Sequence, residues 1–378
     1  MSMPLDLDTN SLDTHSQGGE AREATTRLKI IDCDIHPYLR NQSDMTQFLS
    51  ARWRQHLAEY GKGTRGIYAA RGNYPRFMPN TSRRDAWPAN GGLPGSDVDF
   101  IREQHLDAND VEFGVLEPLL EGNSPRNVEL QAALCSAFND WQLAYFTDIE
   151  PRLRSSILVP QDDAQAAVAE IERRATDPRF AQVQLSSRTP EPLGRKRYWP
   201  IFAAAQAANL PIGLHVGGPS AAAPSASGWP SFYVEEHQIL SHSMPTQAAS
   251  LILEGVFDQF SGLKIILIEG GFAWVPTLGW RLDANVAKMK SEVPTLKLKP
   301  SEYMRRNLWY ATQPIEEPER PQDLRTLFDW MGWDRIVYSS DYPHWDYDDP
   351  RLAIKIPMSE TERRAIFRGN AERIYRFN

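Results

Sequence analysis

The chain has 378 residues, of which 41% are hydrophobic and 24% are charged, and its net charge is −8 at neutral pH. This composition is typical of a globular protein with a large core, and the negative charge argues against nucleic acid or an anionic membrane as the main partner. Two cysteines, Cys33 and Cys135, exclude a disulfide framework and a cysteine metal cluster, and they favour a reducing, cytoplasmic location.

The first 27 residues are polar and lack the basic and apolar segments of a secretory signal. We expect residues 1–27 to be a disordered tail or one that lies along a partner subunit. No stretch of the sequence reaches the ~18 consecutive apolar residues that a membrane-spanning helix needs.

Eight short runs rich in β-branched residues follow this tail, and most of them precede a helical pattern. The predicted strands cover residues 28–33, 111–116, 155–160, 181–186, 210–218, 263–271, 307–313 and 334–344. Near the chain end, Ser359 and Glu362 have the spacing of a capping box. Alternating strands and helices indicate parallel strands with right-handed crossovers. Eight such units predict a (β/α)8 TIM barrel of the α/β class over residues 28–378.

Two connections are longer than usual. Residues 38–100, after the first predicted strand, are rich in Arg, Gly, Pro and aromatic residues. We expect this insertion to form a lid or to face the substrate, because a structureless loop of this length is uncommon. Residues 216–231 form a second loop, made mostly of small residues.

Acidic residues and histidines stand at the ends of several predicted strands. Asp34 and His36 end the first, and residues two positions apart point to the same face of an extended chain. The later strand ends carry His215, Glu269, Asp341 and, just beyond it, His344. Each residue alone is explained as well by a hydrogen bond or a helix cap. Their convergence on one rim of the barrel, however, predicts a site for a divalent ion such as zinc, manganese or iron.

Further residues are candidates for binding the substrate. Three arginines can hold a carboxylate in a bidentate manner, namely Arg40, Arg71 and Arg188. Aromatic residues can line a flat apolar pocket or equally belong to the core, namely Tyr68, Tyr74, Phe77, Trp229 and Trp345. His237 and His242 are predicted either to line the pocket or to lie at the surface. The remaining histidines are expected to be structural or solvated, namely His15, His56 and His105.

Several motifs together resemble the amidohydrolase-2 family, in the branch of aminocarboxymuconate-semialdehyde decarboxylase and related benzoate decarboxylases. They are the D-x-H pair, the histidine after the fifth strand, "EGGFAWVP", "SSDYPHWD" and "RGNAERIY". The resemblance covers residues 28–378 and implies a distorted (β/α)8 barrel that holds one divalent metal, zinc or manganese. The implied ligands are Asp34, His36, His215 and Asp341, and Asp341 would also handle the proton. The resemblance suggests a homodimer or a larger homo-oligomer.

One position departs from the decarboxylases of this family, which have a histidine after strand six where this chain has Glu269 followed by two glycines. A carboxylate stabilises an oxyanion only when protonated, but it can act as a general base for water. We therefore predict a hydrolase of a small aromatic or carboxylate-bearing carbonyl compound that uses metal-activated water, with Asp341, Glu269 and His344 as catalytic residues. The alternatives are a non-oxidative decarboxylase of an aromatic or unsaturated acid, and a barrel that only binds. Glu269 can also have a structural role in a salt bridge with Arg281.

Overall fold

The structure is a computed structural model that describes residues 27–61, 81–119, 127–218 and 224–377. The predicted tail, apart from Arg27, and residues 62–80 of the predicted insertion lie outside the described residues. The interpretations of both segments therefore stay predictions. Among the described residues, no helix combines the length and the apolar character needed to cross a membrane.

Eight strands form one parallel sheet in the order β1 to β8, which confirms the predicted barrel. The strands are β1 (Ile30–Ile35), β2 (Val111–Leu116), β3 (Leu153–Leu158), β4 (Phe180–Ser186), β5 (Ile212–His215), β6 (Ile265–Ile268), β7 (Leu308–Ala311) and β8 (Ile336–Val337). The sheet closes because β1 also pairs with the chain that follows β8. The N–H of Cys33 donates to the carbonyl of Tyr338 at 3.0 Å, and the N–H of Asp341 donates to the carbonyl of Asp34 at 3.2 Å.

Helices cover the outside of this barrel and connect its strands. The helices are α1 (Ser43–Thr46), α2 (Ala51–Tyr60), α3 (Val98–Ile101), α4 (Val128–Gln142), α5 (Ala164–Arg174), α6 (Trp199–Ala207), α7 (Tyr233–Leu240), α8 (Ser243–Leu253), α9 (Val256–Gln259), α10 (Trp274–Lys288), α11 (Pro300–Asn307), α12 (Pro321–Met331), α13 (Glu360–Arg364) and α14 (Asn370–Ile374). The hydroxyl of Ser359 accepts the N–H of Glu362 at the start of α13, so the predicted capping box is confirmed.

A small apolar cluster fills the inside of the barrel, separate from the larger core between sheet and helices. Its strand residues are Ile31, Cys33, Val115, Ala181, Ile266, Ile268, Trp309, Ala311 and Val337. The end of the chain packs onto it: Tyr375 donates a hydrogen bond to Gln182 Oε1 at 3.0 Å, and Phe377 stacks on Phe113. Phe113 lies near the start of β2, so these terminal residues close the amino end of the barrel.

The first strand lies two residues later along the chain than predicted and is less regular, because it runs from Ile30 to Ile35 and its register with β2 shifts after Asp32. The buried carboxylate of Asp32 accepts the N–H of Ser340 at 2.9 Å and lies 2.7 Å from His105 Nε2. These contacts tie β1 to the chain after β8. His105 is fully buried in this pair, which fits a structural role for this histidine.

Candidate metal centre

Five ionisable side chains meet at the carboxyl end of the barrel. Asp34 and His36 lie at the end of β1, His215 is the last residue of β5, and Glu269 directly follows β6. Asp341 follows the short β8 where the chain pairs with β1. Asp34 and Asp341 are 0% exposed, and the two histidines are also buried. The polar strand ends identified in the sequence therefore converge in one buried place.

Two histidines present their Nε2 atoms to this centre. The Nδ1 atom of His36 lies 2.6 Å from the carbonyl oxygen of Glu117, and Nδ1 of His215 lies 2.7 Å from that of Val216. A carbonyl only accepts, so each Nδ1 must carry the hydrogen. When the rings are neutral, their Nε2 atoms are lone-pair donors, which is the state that a metal requires, and a metal ion would take the place of the proton that Glu269 favours on His215.

The carboxylates lie close to these Nε2 atoms. His36 Nε2 is 2.7 Å from Asp341 Oδ1 and 3.2 Å from Asp34 Oδ1, and His215 Nε2 is 2.9 Å from Glu269 Oε2. A neutral imidazole nitrogen without hydrogen and a carboxylate oxygen both accept hydrogen bonds. A cation between the nitrogen and oxygen atoms would attract both and stabilise these short distances.

Neighbouring side chains hold Asp341 in place. His344 Nδ1 lies 2.6 Å from Oδ1 of Asp341, and Gln313 Nε2 donates to its Oδ2 at 3.1 Å. The ring of His344 stacks on that of His36 at 4.2 Å. Two catalytic candidates, Glu269 and Asp341, have left-handed backbone torsions, with φ of 56° and 61°.

Burial and mutual repulsion oppose negative charge in this cluster. Burial and then the carboxylate of Glu269 raise the pKa of Asp341 well above its usual range, and burial does the same to the pKa of Asp34. Burial also lowers the pKa of His36 and raises that of Glu117 to about 8. Burial would lower the pKa of His215 too, but Glu269 outweighs it and raises that pKa to about 10.

The donor atoms fit a divalent ion. Several are buried and have no hydrogen-bond partner among the described residues, namely Asp34 Oδ1 and Oδ2, His36 Nε2, His215 Nε2 and Glu269 Oε2. The four residues that supply these atoms place one ligand atom each within 4.8 Å of one another. A second overlapping group consists of His36, Glu269, Asp341 and His344. Imidazole and carboxylate donors without a thiolate suit zinc or manganese.

The predicted substrate residues are less well placed than the metal-site residues. Arg40 is exposed and Trp229 is 45% exposed. Arg188 is half-buried, and its backbone N–H donates to the carbonyl of Gly217. Trp345 packs beside the site against α7, where its Nε1 donates to Tyr233 Oη at 3.2 Å. The other predicted residues lie outside the described part of the chain, namely Tyr68, Arg71, Tyr74 and Phe77. Roles in substrate binding stay predictions for all of them.

Sequence reasoning missed two residues beside the centre, Gln313 and Asp346. Gln313 Nε2 donates hydrogen bonds to both Asp341 Oδ2 and Asp346 Oδ2. Asp346 also pairs with His237, for which the sequence predicted either a pocket or a surface position. No spacing rule links these residues, because they come from α7 and from the segments that follow β7 and β8. The structure pairs Glu269 with His215 and leaves Arg281, the salt-bridge partner considered as an alternative, exposed on α10.

Residues 31–377 match the family model described as amidohydrolase. The chain belongs to this family. Over 312 residues it is 26% identical to gamma-resorcylate decarboxylase from Polaromonas sp. (strain JS666 / ATCC BAA-500), covering 76% of this chain and 93% of the relative. The family resemblance inferred from the motifs is thereby confirmed.

Two solved structures of amidohydrolase-like decarboxylases share the fold. The 5-carboxyvanillate decarboxylase of Sphingomonas paucimobilis is 25% identical, with a TM-score of 0.67 over 93% of this chain and 100% of its own. The dihydroxybenzoic acid decarboxylase of Polaromonas sp. JS666, solved with manganese and the inhibitor 2-nitroresorcinol, is 21% identical, with a TM-score of 0.64 over 92% and 97%.

Proposed function

We propose that this amidohydrolase is a divalent-metal-dependent decarboxylase that releases carbon dioxide from a small aromatic carboxylic acid. The observation that carries the proposal is the buried convergence of Asp34, His36, His215, Glu269 and Asp341, with donor atoms that have no partner among the described residues. The names of the relatives support an aromatic acid as substrate, and the manganese in one related structure supports a divalent ion.

This proposal reverses the order of the two reactions inferred from the sequence. Glu269 in place of the expected histidine favoured hydrolysis, because a carboxylate can accept a proton from water. Similarity to decarboxylases over most of the chain now favours the alternative. A single changed side chain leaves the other metal-binding positions intact, so it is a weaker argument about the reaction than the whole-chain similarity.

Four residues would hold the ion, namely Asp34, His36, His215 and Asp341. When bound, the ion supplies positive charge that attracts the anionic oxygen atoms of the substrate and orients its ring. The carbonyl groups that receive the two Nδ1 hydrogens orient both imidazoles toward this position.

Asp341 would deliver the proton in this reaction. A proton from its carboxyl group adds to the ring carbon that bears the substrate carboxylate. The bond between this carbon and the carboxylate then breaks, its electron pair restores the aromatic ring, and carbon dioxide leaves. Glu269 would accept the proton of a phenolic hydroxyl, which increases the electron density at the carbon that is protonated, and would return that proton to the product. Asp341 would then regain a proton from solvent, so that one proton is consumed for each carbon dioxide released. His344 orients Asp341 through its contact with Oδ1.

Hydrolysis is the second candidate, and Glu269 is the observation that favours it. Its carboxylate lies 2.9 Å from His215 Nε2, where it could accept a proton from a water molecule that attacks a carbonyl carbon. Release of carbon dioxide separates the two reactions.

The test begins with elemental analysis, for which we expect about one divalent ion per chain. The manganese- and zinc-loaded proteins are then assayed with a panel of hydroxybenzoic acids, and in parallel with aryl esters, lactones and amides. We expect one carbon dioxide released for each aromatic acid consumed. Hydrolysis of the second panel without carbon dioxide from the first would replace the proposal with the hydrolase. Inactivity of the metal-loaded protein on both panels would contradict both candidates.

A further inference from the structure

Asp341 is connected by hydrogen bonds to a second buried acid. Gln313 is fully buried, and its Nε2 donates to Asp341 Oδ2 at 3.1 Å and to Asp346 Oδ2 at 2.9 Å. The backbone carbonyl of Asp346 also lies 3.4 Å from this nitrogen, so its two hydrogens are shared between Asp341 and Asp346. An amide held at both hydrogens cannot rotate without losing a hydrogen bond, so the orientation of Gln313 also fixes that of Asp341.

Asp346 is in turn held by helix α7. His237 Nε2 lies 3.0 Å from Asp346 Oδ2, and the side chain of Asp346 is only 13% exposed. A carboxylate with so little solvent needs a cation or hydrogen-bond donors. The hydrogen bond to Asp346 raises the pKa of His237, which favours the charged imidazole that such a pair needs.

Aromatic contacts strengthen the connection between α7 and the segment after β8. The His237 ring packs edge-on against Trp345 at 5.3 Å, and Trp345 Nε1 donates to Tyr233 Oη at 3.2 Å. No residue of α7 is fully buried. Leu240, at the end of the helix, is only partly buried against the core, so these contacts make an important part of the attachment of α7 at the barrel mouth.

We infer that His237, Asp346 and Gln313 are positioning residues that fix the carboxylate of Asp341. His237 neutralises Asp346, Asp346 holds one hydrogen of Gln313, and Gln313 holds Asp341 in the orientation that faces the metal-binding atoms. The placement of α7 over the mouth and the orientation of Asp341 are thus coupled. The inference rests on the proposed function in one respect, because it takes Asp341 as a residue that holds the metal and delivers the proton.

The experiment compares His237→Gln, Asp346→Asn and the double variant with the wild type, all loaded with manganese. The matched control is His242→Gln, which changes an exposed histidine between α7 and α8. Two quantities are measured: the rate of manganese loss to an excess of EDTA, and kcat and KM for the aromatic acid that the wild type decarboxylates.

We expect each single variant to lose manganese about 10-fold faster and to have kcat lowered about 10-fold or more, with KM within about twofold of the wild type. The double variant should be no worse than Asp346→Asn, because His237 acts through Asp346. His242→Gln should behave like the wild type. Thermal unfolding checks that each variant is folded. If Asp346→Asn does not fold, the comparison of His237→Gln with the wild type alone tests the inference.

Wild-type manganese loss and wild-type kcat in His237→Gln would overturn the inference, and so would additive effects in the double variant. These results would leave the proposed decarboxylation intact. Conversely, if the manganese-loaded wild type releases no carbon dioxide, the proposed function fails, and the rates of manganese loss still decide whether these residues position Asp341.

Discussion

At the scale of single residues, two acids of the candidate site have backbone conformations that cost energy. Glu269 and Asp341 have φ of 56° and 61°, a left-handed region that side chains with a Cβ rarely occupy. Such strain persists only where the surroundings enforce it, and it often accompanies a functional site. Asp tolerates this conformation better than Glu, because its short side chain can hydrogen-bond locally.

Asp341→Asn is the substitution that removes the charge at this position with least disturbance, because Asn also tolerates a left-handed backbone. We expect the variant to fold, to lose most of its metal, and to have activity at least about 100-fold lower, since both the ligand and the proton donor are altered. Elemental analysis, circular dichroism and the carbon dioxide assay measure these effects. Asp323→Asn, on α12, where the side chain is 45% exposed, is the control. A fully active Asp341→Asn protein would show that Asp341 has neither role.

Glu269→Gln tests the residue that distinguishes this chain from the decarboxylases it resembles. We expect metal content close to that of the wild type, because four other ligands remain, and a kcat lowered about 100-fold or more, because Gln cannot accept a proton. Metal analysis and steady-state kinetics are compared with those of Glu292→Gln, an exposed position. Unchanged kinetics would reduce Glu269 to a structural partner of His215.

At the scale of elements, the end of β1 depends on a loop that packs against it. The N–H of Tyr38 donates to the carbonyl of Gly95 at 2.8 Å. Gly95 has φ of 76°, and a Cβ atom there would lie 2.3 Å from the carbonyl oxygen of His36. Only glycine allows this approach, and the predicted insertion therefore takes part in placing a histidine of the candidate metal centre.

Gly95→Ala should destabilise the protein and disturb His36. A Cβ at positive φ costs roughly 1–2 kcal/mol, and the overlap with His36 adds about 1–3 kcal/mol. Gly91→Ala is the matched control, because Gly91 has φ of 82° but nothing within 4 Å of a Cβ. Urea unfolding of both variants measures the difference. Equal losses in the free energy of unfolding would mean that the loop around Gly95 moves away from His36 with no loss of stability.

The strands were easier to predict than the contacts between them. Buried parallel strands are runs of β-branched and aliphatic residues, and all eight were found in this way. The end of β1 was placed too early, because an acid normally terminates a strand, whereas Asp34 is buried inside this one. Gln313 and Asp346 were missed because their roles come from contacts between distant segments, which leave no pattern along the chain.

At the scale of the whole molecule, stability in acid should depend on Glu150, which joins α4 to β3. Burial would raise the pKa of Glu150, but hydrogen bonds from Arg152 and Arg102 outweigh it and lower the pKa to about 2. Both arginines also pair with other acids, Asp107 and Asp99. Because the folded pKa lies below the ordinary value of 4.5, this group stabilises the fold above pH 4.5, and the contribution is lost as the pH falls toward 2.

Glu150→Gln should therefore lower the free energy of unfolding at pH 6. This difference from the wild type should shrink as the pH falls from 4.5 to 2. Urea unfolding at a series of pH values measures the difference from the wild type. Glu172→Gln, at an exposed position of α5, should show no such trend. A constant difference across this range would mean that the carboxylate charge of Glu150 does not contribute to stability.

The closed amino end of the barrel limits how small molecules can enter and leave. Side chains fill the interior, and Tyr375 and Phe377 cover it from that end, so small molecules cannot pass through the barrel. If the proposed decarboxylation is correct, we expect substrate, product and carbon dioxide all to pass through the carboxyl end of the barrel, where the candidate metal centre lies. A bound product would then block the next substrate, and we expect the product to inhibit in competition with the substrate.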